Sequence, residues 1–334
     1  MQMEGSANMN YFERFRVLLI ILCVLPIATV AQTSGTNQNP PPPLGKLVDV
    51  GSYKVHLYCT GAGSPTVVIV GAGFSFDWGL VQPEVASITQ VCSYDHSGIG
   101  WSDDGPTDSC ALRVSEIHEA LKNAGIKGPC VLVGHSLGAL VARLYAGQYP
   151  NEVAGVVFVD HALAMVNRRP PPGGGAATPP PMPPPPTSSP GGGKTAIGME
   201  DDPNFSKLSA RDRELHLWGT TQVRGKTAST GNPLDMLLDC VAQADGIIKD
   251  QSHPLRDKPL VDVSAGTAQP MPPPVAEQWR IKYEELQTKL LSLSGNSKRL
   301  VAENSGHFII IDRPDVVIDA ISQVVQSIRN KTKL

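Results

Sequence analysis

The chain has 334 residues and a formal net charge of −3, with 41% hydrophobic and 18% charged residues. This length accommodates one large α/β domain, or a core domain with a small insertion, and this composition allows a sizeable buried core. No long run of Lys or Arg occurs, so the sequence argues against a nucleic-acid partner, which requires a concentrated basic face.

The N-terminal residues have the composition of an export signal. Two arginines precede an apolar run over residues 17–30, which has the length of a signal-peptide core and is short for a membrane span. Small residues follow, and cleavage after Ala31 would make residues 1–31 a signal peptide. We therefore expect an exported protein, periplasmic or extracellular. Because Pro26 interrupts the apolar run, an uncleaved N-terminal membrane anchor is the alternative.

The strand pattern begins after a Pro-rich segment, residues 32–45, which predicts a tether. Alternating apolar residues over 46–59 predict a hairpin of two strands, with its turn near Gly51. Six short apolar runs follow, most of them separated by helix-length segments, as is typical of a mostly parallel sheet covered on both faces. The runs are 66–70, 90–94, 130–133, 153–159, 259–263 and 299–302.

Apolar residues at helical spacing predict four helices, at 112–124, 137–148, 274–291 and 315–329. Residues 163–257 break this alternation, and we interpret them as an insertion that lies as a lid over the carboxyl edge of the sheet. Within the insertion, residues 170–193 are almost entirely Pro, Gly, Ala, Ser and Thr, a composition that predicts a disordered loop. The core domain would then comprise residues 46–162 and 258–334.

The strongest motif is Gly134-His135-Ser136-Leu137-Gly138, which matches G-x-S-x-G, follows an apolar run and opens an amphipathic helix. A very tight turn from strand to helix pushes the serine out of the backbone, and the flanking glycines avoid clashes. The helix N-terminus places its amide dipoles beneath a developing oxyanion. Ser136 is therefore the predicted nucleophile, and His135 is expected only to pack beside it.

With this motif in its setting, the chain resembles the α/β-hydrolase superfamily from about Lys46 to the C-terminus, outside the Pro-rich insertion. A second segment, YDHSGIGWS at residues 94–102, is similar to the family's D-x-R-G-x-G-x-S segment, with Ser97 where Arg is commoner. The resemblance implies an α/β-hydrolase fold with a mostly parallel eight-stranded sheet and a lid inserted after the sixth strand. It also implies a structural role for Asp95 and His96.

The resemblance implies the base and the oxyanion donors as well. His307 lies in ENSGHF, after the last predicted strand, and this segment is similar to the family's G-H-x segment. The loop after the third strand, VGAGFS at residues 70–75, corresponds to the family's oxyanion loop, with Ala72 in place of a His. The backbone amides of Phe74 and Leu137 are the expected donors to the oxyanion.

The acid has two candidates. The family's usual place, the turn after the strand that follows the insertion, contains no carboxylate over residues 265–269. Asp160 ends the strand after the nucleophile helix, where some branches of the fold carry their acid, and we prefer it. Asp262, in the middle of a predicted strand, is the alternative. The acid must accept the Nδ1 proton of the base and hold the right tautomer.

A serine nucleophile argues against the related epoxide hydrolases and haloalkane dehalogenases, which use a carboxylate. The Ser-His-Asp set predicts hydrolysis of small-molecule carboxylic esters through an acyl-enzyme, with no cofactor and no metal. An apolar pocket is expected from the aromatic and apolar residues Phe74, Phe76, Trp78, Leu215 and Trp218. His161 and His216 are weaker candidates for lining it.

Two other functions remain open from the sequence. One is an aminopeptidase of the proline iminopeptidase type, which would need insertion carboxylates to hold a free amine. The candidates are Glu200, Asp201, Asp202, Asp212, Glu214 and Asp239. The other is a non-catalytic ligand-binding protein on the same scaffold.

Five cysteines lie after the predicted signal: Cys59, Cys92, Cys110, Cys130 and Cys240. No CxxC occurs, which argues against a zinc knuckle. In an exported protein some of these cysteines are expected to pair, and the odd number leaves a free thiol or an intermolecular link. The sequence leaves the pairing open.

Overall fold

The computed structural model describes residues 40–71, 73–161, 198–226, 233–246, 253–267 and 273–334. The chain divides into two units, Met1–Pro41 and Pro42–Leu334, and the helices and strands described below belong to the second. The predicted signal peptide, most of the predicted tether and the Pro-rich loop at 170–193 lie outside the described residues. Within the described ranges, no helix is both long and apolar enough to cross a membrane.

In the described part of the chain, eight strands form one sheet in the order β1-β2-β4-β3-β5-β6-β7-β8. The strands are β1 (Lys46–Asp49), β2 (Lys54–Thr60), β3 (Val67–Val70), β4 (Val91–Asp95), β5 (Cys130–His135), β6 (Val153–Val159), β7 (Leu260–Ala265) and β8 (Ser297–Ala302). The predicted hairpin is β1–β2, and β2 also pairs antiparallel with β4. The other pairs are parallel, which confirms the predicted mostly parallel sheet.

Helices and short 3₁₀ turns connect the strands. The helices are α1 (Gln82–Ala86), α2 (Cys110–Asn123), α3 (Leu137–Gln148), α4 (Ala210–Lys226), α5 (Pro233–Gly246), α6 (Pro273–Leu291), α7 (Ile309–Asp312) and α8 (Pro314–Asn330). The 3₁₀ turns are Ser75–Trp78, Pro150–Glu152, Gly198–Asp201 and Pro203–Lys207. The four predicted helices correspond to α2, α3, α6 and α8 and differ from them by at most two residues at either end.

Two apolar cores cover opposite faces of the sheet, which explains why the central strands are apolar at nearly every position. Successive residues of β5 alternate between them: Leu132 packs with α2, α3 and α6, whereas Val131 and Val133 pack with α1 and α8. All six residues of β5 are buried, so the carboxyl end of this strand is held firmly where the site is built.

The insertion after β6 contributes to two different parts of the molecule. Helix α4 contacts the Ser75–Trp78 turn, near the carboxyl end of β3. Helix α5 instead packs against α2 and α3, and its residues Cys240 and Ala244 are fully buried in the core on that face. This second part of the insertion therefore belongs to the helical layer rather than to the predicted lid.

The five cysteines that follow the predicted signal peptide form two disulfides and leave one buried thiol. Cys59 and Cys92 are directly paired neighbours on β2 and β4 and form one disulfide, and the other joins Cys110 of α2 to Cys240 of α5. Cys130 is a free, buried cysteine, and burial raises the pKa of its thiol to about 11. Because thiolate is the reactive form, Cys130 is expected to be inert at neutral pH.

Replacing Cys110 and Cys240 together by Ala is expected to lower the free energy of unfolding by about 2–4 kcal/mol, because the disulfide restricts the unfolded chain. The matched control replaces Cys59 and Cys92. The sequence separations are 130 and 33 residues, so the first pair should cost about 1 kcal/mol more than the second. Urea unfolding of both double variants measures the difference, and equal losses would contradict the loop-length argument.

Candidate active site

The predicted nucleophile occupies a strained turn between β5 and α3. Ser136 has φ 54° and ψ −121°, a conformation that non-glycine residues rarely adopt. Both flanking glycines are required by close approach. A Cβ at Gly134 would lie 2.5 Å from Ala139 Cα, and one at Gly138 would overlap the Val70 carbonyl oxygen. The turn is therefore as tight as the G-x-S-x-G motif predicts.

The structure brings Ser136, His307 and Asp160 together. His307 Nε2 lies 3.0 Å from Ser136 Oγ, and His307 Nδ1 lies 2.6 Å from Asp160 Oδ2. The side chains of His307 and Asp160 are 20% and 13% exposed, so the group is accessible but largely shielded from water. With Nδ1–H donating to the carboxylate, Nε2 is left to accept the proton of the serine hydroxyl.

Backbone contacts fix the nucleophile and the acid at neighbouring strand ends. The Ser136 amide donates to the Val159 carbonyl at 3.1 Å, and the Asp160 amide donates to the Val263 carbonyl at 2.8 Å. Asp160 has φ 40°, in the left-handed region that Asp tolerates better than most residues. The two side chains therefore depend on the register of β5, β6 and β7.

The loop that carries His307 is held by two side chains that sequence reasoning did not assign to the site. The Gly306 amide donates to Asp312 Oδ2 at 2.7 Å. His135 Nε2 donates to the His307 carbonyl at 2.9 Å, and burial lowers the pKa of His135 to about 4, so the ring is neutral. His135 thus supports the loop of the base as well as packing beside the nucleophile.

The alternative acid, Asp262, lies inside β7. Its register partners on the neighbouring strands β6 and β8 are Phe158 and Arg299. It is fully buried, and neither carboxyl oxygen has a hydrogen-bond partner among the described residues. Burial raises the pKa of Asp262 to about 7. The geometry therefore favours Asp160 as the acid, since Asp160 contacts His307.

Asp262→Asn is expected to change the pH dependence of the free energy of unfolding. The pKa of Asp262 is higher in the folded protein than in the unfolded chain, so unfolding releases a proton and wild-type stability falls as the pH rises toward 7. Each unit of pKa difference corresponds to about 1.4 kcal/mol. Asn does not titrate, so the free energy of unfolding of the variant should rise relative to that of the wild type at alkaline pH. Urea unfolding at about pH 5 and about pH 8 tests this, and parallel behaviour of both proteins would refute it.

The two predicted oxyanion donors differ in availability. Leu137 is the first residue of α3, so its amide has no partner within the helix and follows the nucleophile directly. The Phe74 amide instead donates to Asp77 Oδ2 at 2.9 Å, so the carboxylate three residues on engages this amide, and its role as an oxyanion donor stays a prediction. Ala72 lies outside the described residues.

Asp95, the last residue of β4, accepts a hydrogen bond from the loop between β3 and α1. Its Oδ1 accepts the Ser75 amide at 2.6 Å, and its Oδ2 accepts the His56 Nδ1 hydrogen at 2.9 Å. The neighbouring His96 is buried, which lowers its pKa to about 3, and its Nδ1 donates to the Ser97 carbonyl at 2.9 Å. Both residues of the YDHSGIGWS segment therefore serve structural contacts.

The residues predicted to form an apolar pocket are largely interior. Phe74, Phe76 and Trp78 are at most 2% exposed. Phe74 and Phe76 stack on each other with ring centroids 4.8 Å apart, and Phe76 also faces the rings of Trp101 and Trp218. Phe74 and Phe76, in the loop after β3, pack against α4, whereas Trp78 belongs to the core that also contains residues of α1 and α8. None of the three forms an open substrate surface.

Comparison with known proteins shows the family. A sequence profile described as "Alpha/beta hydrolase family" matches residues 61–320, which is most of the chain. The chain belongs to the alpha/beta hydrolase family. This confirms the predicted family, fold and general class of enzyme, a hydrolase.

Several curated proteins are similar in sequence to this hydrolase. The uncharacterized protein YqjL of Bacillus subtilis is 27% identical over 285 residues, which cover 84% of this chain and 91% of YqjL. An uncharacterized Schizosaccharomyces pombe protein is 32% identical over 149 residues, 35% of this chain and 28% of that protein. The putative carbamate hydrolase RutD of Escherichia coli is 40% identical over 105 residues, 30% of this chain and 37% of RutD. The chain thus covers well under half the length of the last two.

Solved structures share the fold of this hydrolase at low sequence identity. Cfl2 from Burkholderia cenocepacia has a TM-score of 0.58 at 18% identity and matches 86% of this chain and 98% of Cfl2. Est816, described as an N-acyl homoserine lactone degrading enzyme, has a TM-score of 0.53 at 17% identity and matches 84% of this chain and 100% of Est816.

Proposed function

We propose that this hydrolase cleaves carboxylic esters of small molecules through an acyl-enzyme formed on Ser136. The observation that carries the proposal is the chain of hydrogen bonds from Ser136 Oγ through His307 to Asp160. A serine hydroxyl is a weak nucleophile until a base takes its proton, and His307 Nε2 is at the distance required.

In the first half of the reaction, Ser136 Oγ attacks the ester carbonyl carbon while His307 Nε2 takes the hydroxyl proton. The carbonyl oxygen becomes an oxyanion beside the Leu137 amide, and one such donor stabilises the transition state by roughly 3 kcal/mol. His307 then gives its proton to the departing alkoxide, and an alcohol leaves. In the second half, water attacks the acyl carbon while His307 Nε2 takes one of its protons. The bond between the acyl carbon and Ser136 Oγ then breaks, His307 returns the proton to Ser136 Oγ, and the carboxylic acid leaves.

Ester hydrolysis is favoured over removal of an N-terminal residue because three of the six candidate carboxylates of the insertion are engaged within the protein. Glu200 Oε2 accepts from His216, and Asp212 accepts from Arg211 and Ser209. Asp202 Oδ1 accepts the Asn204 amide. Carboxylates that serve these contacts are poorly placed to bind the free amine of a peptide.

The names of similar proteins are compatible with acyl substrates. A putative lipase from Acinetobacter baumannii has a TM-score of 0.52, and Est816 is described as degrading an N-acyl homoserine lactone. RutD is named a putative carbamate hydrolase. The three names refer to a lipase, a lactone and a carbamate, and this supports an acyl-transfer reaction for this chain.

Export remains part of the proposal. The export-like composition of residues 17–30 supports it, and so do two disulfides, which persist mainly in oxidising compartments. Mass spectrometry of the protein recovered from its native host tests it. A mature N-terminus at Gln32 is expected, whereas an intact protein in the membrane fraction would indicate an uncleaved anchor.

A fluorophosphonate probe tests the proposed nucleophile, with Ser136→Ala as the unlabelled control. Labelling of the wild type together with turnover of short-chain p-nitrophenyl esters is expected. Turnover of aminoacyl p-nitroanilides instead would favour the aminopeptidase. A folded wild-type protein that takes up no probe would favour the non-catalytic binding protein.

A further inference from the structure

A fully buried histidine joins the insertion to the core. His216 of α4 has no exposed surface, and its Nδ1 lies 2.7 Å from Asp77 Oδ1 in the Ser75–Trp78 turn. Its Nε2 lies 3.1 Å from Glu200 Oε2 in the Gly198–Asp201 turn. Carboxylates accept hydrogen bonds, so a ring that faces one at each nitrogen is satisfied when both nitrogens carry a proton. The geometry therefore corresponds to an imidazolium.

The electrostatics of the buried group agree with this geometry. The pKa of His216 is raised: burial of the ring acts to lower it, and the hydrogen bonds and charges of Asp77 and Glu200 outweigh burial. Burial raises the pKa of Asp77, whereas the donors His216 and Phe74 act in the opposite direction. A cation between two carboxylates is the arrangement in which buried charges are tolerated.

Asp77 connects this cation to the loop beside the nucleophile. While its Oδ1 faces His216, its Oδ2 accepts the Phe74 amide at 2.9 Å. Phe74 belongs to the loop that follows β3, and the last residue of β3, Val70, lies against Gly138 of the nucleophile helix. One carboxylate thus links α4 to the segment that leaves the sheet next to Ser136.

The packing of α4 depends on the same contact. A Cβ at Gly219 would lie 2.7 Å from Phe74 Cζ, so the helix backbone rests directly on this ring. The adjacent residue, Trp218, faces Trp101 with ring centroids 5.2 Å apart. A shift of α4 would change the surroundings of Trp218, which gives the contact an optical signal that does not depend on substrate.

We propose that His216 is a positioning residue: as an imidazolium held between Asp77 and Glu200, it seats α4 on the core and fixes the loop beside Ser136 for the reaction. Only the expected effect of His216 on turnover rests on the proposed ester hydrolysis. The seating of α4 stands independently of which reaction Ser136 performs.

Among the described residues, charged groups of three neighbouring turns and of α4 itself lie around His216. Asp77 faces it from the Ser75–Trp78 turn and Glu200 from the Gly198–Asp201 turn, and Asp95 acts electrostatically on Asp77. Asp212, one turn earlier on α4, is paired with its neighbour Arg211. From the Pro203–Lys207 turn, the ring of Phe205 packs on His216, while the Lys207 ammonium donates to the carbonyl of Asp312.

The expected pH dependence follows from the sign of the shift. Because the pKa of His216 is raised in the folded protein, the stabilisation is fully present below the unfolded value of about 6.5 and is lost as the pH rises through the folded value. Above it, one ring nitrogen no longer donates and two carboxylates remain near a neutral ring. The seating of α4 therefore loosens on the alkaline side.

Tryptophan fluorescence and ester turnover between about pH 6 and about pH 10 test the proposal. The wild type is expected to show an alkaline transition in emission that is lost in His216→Gln and weakened in Trp218→Phe. At neutral pH, His216→Gln should lower kcat roughly tenfold to 100-fold, since displacement of a positioning loop by about 1 Å has effects of this size. KM should change much less.

The matched control is His118→Gln, because His118 also pairs with a carboxylate, Glu152, but lies 22% exposed on α2 away from Ser136. It should retain the transition and the turnover. Glu200→Gln keeps the shape of the cluster and removes one charge, so the transition should move to lower pH. This variant also provides the test should His216→Gln not fold.

An alkaline transition that persists unchanged in His216→Gln and does not move in Glu200→Gln would overturn the proposal. The fluorescence measurements use no substrate. A protein that shows the predicted transition but hydrolyses no ester would therefore contradict the proposed function while supporting the role of His216.

Discussion

Ser136→Ala and His307→Ala are each expected to lower kcat for ester hydrolysis by roughly 10⁶-fold, because neither residue of such a pair functions without the other. Ser136 Oγ and His307 Nε2 lie 3.0 Å apart and share the proton that is transferred. Steady-state turnover of a p-nitrophenyl ester measures the loss. Residual turnover should reflect substrate binding and the oxyanion donor alone.

The double variant distinguishes a catalytic pair from two independent contributions. Removing both side chains should cost about as much as removing one. Ser87→Ala is the matched control, since Ser87 is exposed and donates to the Glu84 carbonyl at the end of α1, and it should retain wild-type turnover. Losses that multiply in the double variant would argue that Ser136 and His307 do not act together.

Asp160→Asn is expected to lower kcat by roughly 10⁴-fold, while Asp262→Asn has a small effect. Asp160 Oδ2 lies 2.6 Å from His307 Nδ1 and holds the ring in the tautomer that can accept the serine proton. An amide at this position would donate to Nδ1 and favour the wrong tautomer. Fluorophosphonate labelling of Ser136 should slow in parallel with turnover.

Asp262→Asn is the control of the same chemistry on the adjacent strand. The Asp262 side chain is fully buried and has no hydrogen-bond partner among the described residues, so it forms no hydrogen bond with His307. A severe loss of turnover in Asp262→Asn with little loss in Asp160→Asn would reverse the assignment of the acid.

Local chemistry explains which parts of the fold and site could be predicted from the sequence. Strand β5 is apolar at consecutive positions because both faces are covered, and α3 begins immediately after a serine flanked by glycines. Tight steric requirements at Gly134 and Gly138 leave few alternatives for this turn. The position of Asp160 at the end of β6 follows from the same strand pattern.

Long-range contacts explain most of what could not be predicted. His135 and the His307 carbonyl are 172 residues apart, and His216 and Asp77 are 139 residues apart, so no spacing rule connects them. The disulfide of Cys110 places α5 in the helical layer for the same reason. The hydrogen bond of the Phe74 amide is local by contrast, and its signal in the sequence is the acidic residue three positions later, Asp77.

Ser136 and Asp160 belong to a single β-α-β unit, β5-α3-β6, whose backbone ties them to one another. They therefore move as one body, and the alignment of the three groups depends on how accurately the C-terminal segment delivers its imidazole. Laboratory selection for altered rate should accordingly enrich substitutions around residues 303–308 and in the contacts of Asp312, far from the nucleophile in sequence, rather than in the turn that bears it.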